Sequence, residues 1–265
     1  MPPTDRVTHR GATLVIMPTY VEAENLERVA AALLAEVADV DLLVVDDASP
    51  DGTGDIADRL ARDNPRVHVL HRAAKQGLGP AYLAGFDWGT RNRYEVMVEM
   101  DADGSHPPSA LPHILATLAA DPRLGLVIGS RWVHGGGAVD WPRSRRWLSR
   151  AANVYARLAL RIPVRDITAG YRAYSAAALA RITEHQTGSR GYGFQIDMTV
   201  RTHDAGFGIA EVPIVFRDRT AGSSKITKGI VVEAMLRVAG SGIARTFRPR
   251  GANQRQRALA ADKSS

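Results

Sequence analysis

The residues of this chain best suited to chemistry sit in MDADGSHPP (100–108), directly after the apolar run YEVMVEM (94–100). In an extended chain Asp101 and Asp103 project to one face, roughly 6–7 Å apart, close enough to share a ligand. Two uncompensated carboxylates at the dry end of a sheet repel each other, and a hard divalent cation with phosphate oxygens is the usual remedy. Mg²⁺ keeps several waters and takes one or two carboxylates plus phosphate, so the pair fits Mg²⁺ or Mn²⁺. The plainer reading makes an aspartate the N-cap of a helix starting near Pro107 and Pro108, which accounts for one of them better than for both. His106 is open between a ligand or base and a ring packed beside two prolines.

A second acidic pair, Asp46 and Asp47, follows LLVVD (42–46) in DDASPDGTGD. A carboxylate there can accept hydrogen bonds from ribose hydroxyls or base N–H groups, or it can cap the turn SPDGT. Polar residues also follow two other apolar runs, as PTYVEAENL (18–26) after TLVIM (13–17) and RWVHGGG (131–137) after LGLVIGS (124–130).

These runs, with VHVLH (67–71), read as short strands, and apolar residues at helical spacing lie between them: Leu26, Val29, Ala30, Leu33, Leu34 and Val37, then Ile56, Ala57 and Leu60. Strands alternating with helices predict parallel βαβ units and a doubly wound α/β sheet, with the strand before Asp46 near its middle. In such sheets ligands bind beyond the carboxyl ends of the strands, which is where every loaded loop falls. The second half is less regular. It reads as a basic amphipathic helix (about 147–162), then the stretch DITAGYRAYS (166–175), a helix near 195–206, a strand IAEVPIVF (209–216), a polar loop RDRTAGSSK (217–225) and a last helix near 226–247. There is no internal repeat, and neither GxGxxG nor GxxxxGK[ST] follows a strand.

With 265 residues, 45% of them apolar, the chain suffices for one large α/β domain. The expected layout is a flexible N-terminus (1–12), a domain (13–247) and a basic, disordered tail (248–265). Without cysteine there is neither a disulfide nor a thiolate metal site, so any metal sits on oxygen or imidazole. The start, MPPTDRVTHRGAT, lacks the apolar centre of a signal peptide, and no run reaches the roughly 18–20 apolar residues a membrane span needs. The chain is therefore expected in the cytoplasm. Of the net charge of +6, residues 226–265 carry the whole excess, with eight Lys/Arg against two Asp/Glu. Within the neutral remainder, residues 141–165 hold seven arginines and no acid, either a solvated face or a seat for phosphate-bearing ligands and anionic lipid. Arg150, Arg157 and Arg161 follow one another at spacings of seven and four, while Trp147, Leu148, Val154, Tyr155, Leu158 and Ile162 supply apolar surface. That is the pattern of an interfacial helix, or of a core-packed helix with a solvated arginine edge. Nucleic-acid binding is disfavoured, because no aromatic-interleaved basic surface appears and paired aspartates repel phosphates unless a metal intervenes.

With PTYVEAENL, VVDDASPDGT, KQGLGPAYLAGF (75–86), MDADGSHPP, GSRWV (129–133), DITAGYRAY (166–174) and RTAGSSK (219–225) in this order, the chain resembles the family 2 glycosyltransferases of the GT-A fold. Within them it is similar to the polyprenyl-phosphate (dolichol-phosphate) mannose synthases that lack transmembrane helices of their own. The similarity runs from about residue 13 to about residue 240. It implies a mixed, mostly parallel sheet with helices on both faces, plus C-terminal amphipathic, interfacial helices. It also implies a nucleotide pocket of Pro18, Tyr20, Glu22, Val45 and Asp47, with Asp101, Ala102 and Asp103 on the diphosphate and the two aspartates around Mg²⁺ or Mn²⁺. Arg131, Arg145, Arg219 and Lys225 match family positions that hold donor diphosphate or acceptor phosphate. The chain departs from the family at Val21, where many members have Asn, and at Gly104-Ser105, where many have Leu-Gln; Ser105 or a water replaces that Gln as metal ligand.

The reaction the resemblance implies is inverting transfer of mannose from GDP-α-D-mannose to polyprenyl phosphate. The nucleophile is then a phosphate with its second pKa near about 6, so no protein base is required; Asp197 would serve only in the manner of other family 2 enzymes. A polyprenyl-phosphate glucosyltransferase using UDP-glucose is the runner-up. A lipid acceptor implies peripheral attachment to the cytoplasmic face of a membrane, with a separate membrane-spanning partner as in some relatives, and TAGSSK reads as a loop closing over substrates.

Overall fold

The computed structural model describes residues 13–184 and 192–218. The expected flexible N-terminus, the RTAGSSK loop with Arg219 and Lys225, the last helix and the basic tail lie outside the described residues.

The strands are β1 (Thr13–Thr19), β2 (Val40–Asp46), β3 (Val67–His71), β4 (Val96–Glu99), β5 (Leu124–Ser130), β6 (Gly137–Ala138), β7 (Arg172–Ser175), β8 (Gly208–Pro213) and β9 (Val215–Phe216). The helices are α1 (Leu26–Glu36), α2 (Thr53–Asp63), α3 (Leu78–Arg91), α4 (Leu111–Ala120), α5 (Arg143–Leu160), α6 (Ala176–Ile182) and α7 (Tyr192–Asp204). Seven strands form one sheet in the order β3-β2-β1-β4-β7-β5-β8. The pairings of β1 with β2 and β4, of β2 with β3 and of β5 with β8 are parallel, whereas β7 runs antiparallel between β4 and β5.

Burial on both faces explains the uninterrupted apolar strands: every residue of β2 is buried. Its odd-numbered Leu43 and Val45 join Ile16, Tyr82, Phe86, Met97 and Phe194 on the face covered by α3, α6 and α7. Leu42 and Val44 join Val15, Leu26, Leu33, Ala57 and Ile114 on the face of α1, α2 and α4. The predicted mixed, mostly parallel sheet with helices on both faces is thus the observed one. Its strand β2 lies next to the edge, however, because β3 closes that side and the second half of the chain builds the other.

In the second half the structure adds a strand that the sequence reading did not assign and divides one that it did. DITAGYRAYS contains β7, and its Arg172 is fully buried at the centre of the sheet. There the guanidinium donates to the carbonyls of Ile167 (2.6 Å), Ala169 (2.6 Å) and Gln195 (2.9 Å) and to the Thr199 hydroxyl (2.9 Å). A residue type that usually marks exposure is tolerated only because tertiary partners satisfy it. IAEVPIVF, read as one strand, divides instead: β8 pairs with β5 as far as Pro213, and β9 pairs with β6 in a separate two-stranded sheet. Pro213 has no N–H to extend the first ladder. Gly136 permits the second, since a Cβ there would lie 2.5 Å from the carbonyl oxygen of Ser130.

The antiparallel β7 has a consequence for the site. Glu99 of β4 and Ile128 of β5 both pair with Arg172, so the loop that enters β7 lies at the rim where β4 and β5 end.

Candidate active site

Neighbouring strands β2, β1 and β4 bring three of the predicted loops to one rim, and hydrogen bonds tie the first two together. Asp46 accepts from the hydroxyls of Thr19 (3.0 Å) and Ser49 (2.6 Å) and from Ser49 N–H (3.1 Å), so it builds the turn. Ser49 Oγ, Thr53 Oγ1 and Asp51 then accept the backbone N–H groups of Val21, Glu22 and Ala23 at 3.0–3.1 Å. Asp47 is the member of the pair turned to other work: buried, it accepts from Arg72 and from the backbone N–H of Gln76 (3.2 Å). Val45 is buried beneath it and registers with Pro18 of β1. Tyr20 follows β1 with Lys75 Nζ 3.7 Å from its ring centroid, and Glu22 accepts from the Asn25 amide (3.1 Å).

Beyond β4 the chain is not extended: Ala102 and Asp103 form a turn, and Gly104 takes φ +77°. Strand geometry therefore does not bring Asp101 and Asp103 to one face, contrary to the expectation from an extended chain, and the turn sets their placement. Asp103 is buried and accepts from its own loop at Ser105 N–H (3.0 Å). The Asp101 side chain, 29% exposed, accepts from the Tyr82 hydroxyl (3.2 Å). Burial first, then the charges of Asp101 and Glu99, push the Tyr82 hydroxyl well above its ordinary pKa, so it remains a proton donor to Asp101. His106 is packed, stacked on Tyr171 with centroids 4.9 Å apart, and its Nδ1 accepts the Asp101 backbone N–H (3.0 Å). It orients the start of the loop.

The donor set fits a hard cation that draws much of its coordination from a ligand. It consists of oxygens only, and no cluster of three His, Asp or Glu side chains able to hold a metal exists among the described residues. The buried Ser105 hydroxyl, which has no hydrogen-bond partner, is a further oxygen in the same loop.

Below this loop, Glu99 is fully buried. Burial raises its carboxyl to about 8 against the opposing pull of Arg172 and of a 2.7 Å hydrogen bond from Gln195. Burial thus favours the protonated carboxyl.

At the end of β5, Arg131 forms a buried, two-pronged pair with Asp166, at 2.7 Å from both Nε and Nη2. Its guanidinium also donates to Thr168 (3.0 Å) and lies 5.4 Å from the Trp141 ring centroid. Arg145, in the first turn of α5, sits 4.0 Å from that same centroid and pairs with Asp218 at 3.0 Å. The two predicted arginines thus share one aromatic wall, and the chain at Asp218 is held to it immediately before Arg219. Asp197 is paired with Arg201 on α7 (3.0 Å).

Arg72, Tyr82 and Asp166 were not singled out from the sequence. Their partners are 25, 19 and 35 residues away in the chain, so no local spacing marks them. Tyr82 and Asp166 do lie inside KQGLGPAYLAGF and DITAGYRAY, stretches that carried the resemblance.

The profile of "Glycosyl transferase family 2" matches residues 14–183. The undecaprenyl-phosphate mannosyltransferase of Micrococcus luteus is 53% identical over 232 residues, covering 87% of this chain and 94% of its own. The polyprenol monophosphomannose synthase of Mycolicibacterium smegmatis is 51% identical over 252 residues, covering 94% of each. Among solved structures, glucosyl-3-phosphoglycerate synthase from Mycobacterium tuberculosis superposes with a TM-score of 0.64 at 20% identity, covering 89% of this chain and 82% of its own. A mannosyltransferase from Pyrobaculum calidifontis, solved with GDP-Man and Mn²⁺, superposes with a TM-score of 0.57 at 19% identity, covering 98% and 82%. At those identities the likeness to the solved structures concerns the fold.

Proposed function

The chain belongs to the family 2 glycosyltransferases, and from that premise we propose that it transfers mannose from GDP-α-D-mannose to polyprenyl phosphate, with inversion, giving β-D-mannosyl phosphoryl polyprenol. The observation that carries this reading is the identity above one half to two proteins named for mannosyl transfer to such lipids, over nearly their whole lengths.

In this reading the rim of β1, β2 and β4 takes the nucleoside diphosphate. Asp101 and Asp103, with Ser105 as a further oxygen, would hold Mg²⁺ or Mn²⁺, which when bound neutralises charge growing on the leaving diphosphate. Tyr82 and His106 orient Asp101 for that task. The acceptor phosphate is its own nucleophile, so the rim needs to present no general base, in keeping with Asp47, Asp166 and Asp197 all paired to arginines. Arg145, together with Arg219 and Lys225 beyond the described residues, would bring the acceptor up to the diphosphate. A lipid acceptor places the work at a membrane surface, and we assign the enzyme peripherally to the cytoplasmic face. No helix among the described residues is long and apolar enough to cross a membrane.

The test is a side-by-side assay of purified full-length protein with polyprenyl phosphate, Mg²⁺ or Mn²⁺, and either labelled GDP-mannose or labelled UDP-glucose. Label should enter an organic-extractable, mild-acid-labile lipid from GDP-mannose, and EDTA should abolish it. Faster transfer from UDP-glucose would overturn the donor assignment, and transfer unaffected by EDTA would overturn the cation.

A further inference from the structure

A cavity of about 250 Å³ beside α5 is lined by Trp132, Arg150, Asn153, Val154, Arg157 and Arg165. Three arginines line it and no acidic residue does. Among the described residues none of the three arginines forms an ion pair. The two acids next to Arg165 are already committed. Asp166 is taken by Arg131, and Glu211 accepts the backbone N–H groups of Arg165 (2.8 Å) and Asp166 (2.9 Å). Arg150 lies 4.8 Å from the Trp132 ring centroid. A guanidinium stacked on a ring keeps its in-plane N–H groups for an anion. Like charges gathered at one cavity call for an anion, and oxygens of a phosphate match the guanidinium fork.

The surface next to the cavity says where that phosphate comes from. On α5, Trp147 is 72% exposed, Leu158 67%, Leu148 54%, Val154 47% and Tyr155 40%. Trp147, Val154 and Leu158 are spaced by seven and four residues, one stripe of the helix, and Arg150 and Arg157 lie beside it. Val154 belongs to both the stripe and the cavity. The opposite side of α5, through Asn153, Ala156 and Leu160, is buried against the domain. An exposed apolar stripe flanked by arginines on an acid-free helix suits the boundary between headgroups and acyl chains.

We propose that this cavity seats the phosphate of an anionic phospholipid on Arg150, Arg157 and Arg165, with the acyl chain along Val154 and Leu158, so that α5 lies in the membrane interface. None of the lining residues belongs to the rim of β1, β2 and β4, while Asn153 shares the Thr168 hydroxyl with Arg131, and occupancy is read without the transfer reaction. The difference from the sequence reading is Arg165. It replaces Arg161, which leaves the helix at φ +56° and does not line the cavity.

The test is sedimentation of full-length protein with vesicles of phosphatidylcholine, with and without phosphatidylglycerol. The double variant Arg157→Gln/Arg165→Gln is compared with Arg143→Gln/Arg146→Gln, which removes equal charge from α5 outside the cavity. Far-ultraviolet circular dichroism and melting temperature show that both variants fold. The parent should bind the anionic vesicles, the cavity variant should lose about ten-fold or more in partitioning, and the control variant less than about three-fold, at roughly 1 kcal/mol per arginine near a charged surface diluted by its distance from the lipid. Leu158→Gln, a change at an exposed position, should also weaken binding. Equal losses in the two double variants, or no loss in either, would overturn the site. So would millimolar inorganic phosphate stabilising the parent but not the cavity variant while the parent ignores anionic vesicles, because the ligand would then be a soluble phosphate.

Discussion

Val21 follows β1 at φ 59°, in the left-handed region that costs an L-residue about 1–2 kcal/mol and suits a β-branched side chain least. Its N–H is held by Ser49, and its side chain is 46% exposed, so nothing buried repays the strain. The departure from Asn noted in the sequence is therefore a departure from a residue that tolerates this conformation. Val21→Asn should stabilise the protein by about 1 kcal/mol, read as a higher urea midpoint with an unchanged slope; a lower midpoint would show that Val21 makes a contact of greater worth. Gly104 is the converse case. At φ +77°, a backbone conformation that L side chains rarely adopt, the turn after β4 favours the glycine that stands where many members have Leu.

At the scale of elements, the rim depends on how loops from distant strands are tied. Between β5 and the entry to β7, the tie is Arg131 to Asp166, with the carboxylate also accepting the Arg131 backbone N–H at 2.9 Å. Removing one partner of a buried pair leaves the other charge unpaired and typically costs about 3–5 kcal/mol. Asp166→Asn should accordingly lower the unfolding free energy by about 3 kcal/mol, measured by urea denaturation, and a loss under about 1 kcal/mol would mean that Arg131 finds another acceptor. The family resemblance implies Arg131 as a ligand for phosphate. Its engagement with Asp166 makes it first a strut for the loop that carries Thr168 and Tyr171.

For the molecule as a whole, the buried Glu99 links stability to pH. Its folded pKa of about 8 lies above the unfolded value of about 4.5, so between these the native state holds a proton that the unfolded chain releases. The contribution is fully present below about pH 4.5 and is lost as pH rises toward about 8, at up to about 1.4 kcal/mol per pH unit. In metal-free protein, Glu99→Gln should remove that part of the decline and leave the variant more stable than the parent at pH 8; parallel stability profiles would refute the protonated carboxyl. Glu99 lies in an apolar run that marked β4 correctly, yet nothing local distinguishes its raised pKa, which comes from the closing of the sheet around it and prevails over the opposite pull of Arg172 and Gln195.

The residues by themselves determined the four βα units of the first half and the chemical character of the loops after β1, β2, β4 and β5. Apolar periodicity is local, and a parallel sheet sends the ends of its strands to one rim. Only the tertiary structure decided the rest. It inserted β7 antiparallel in the sheet, divided IAEVPIVF between two sheets, gave the turn work to Asp46 and Asp47 to Arg72, and replaced an extended Asp101–Asp103 segment by a turn. Each of these depends on partners far away in sequence whose hydrogen bonds and packing outweigh local preference.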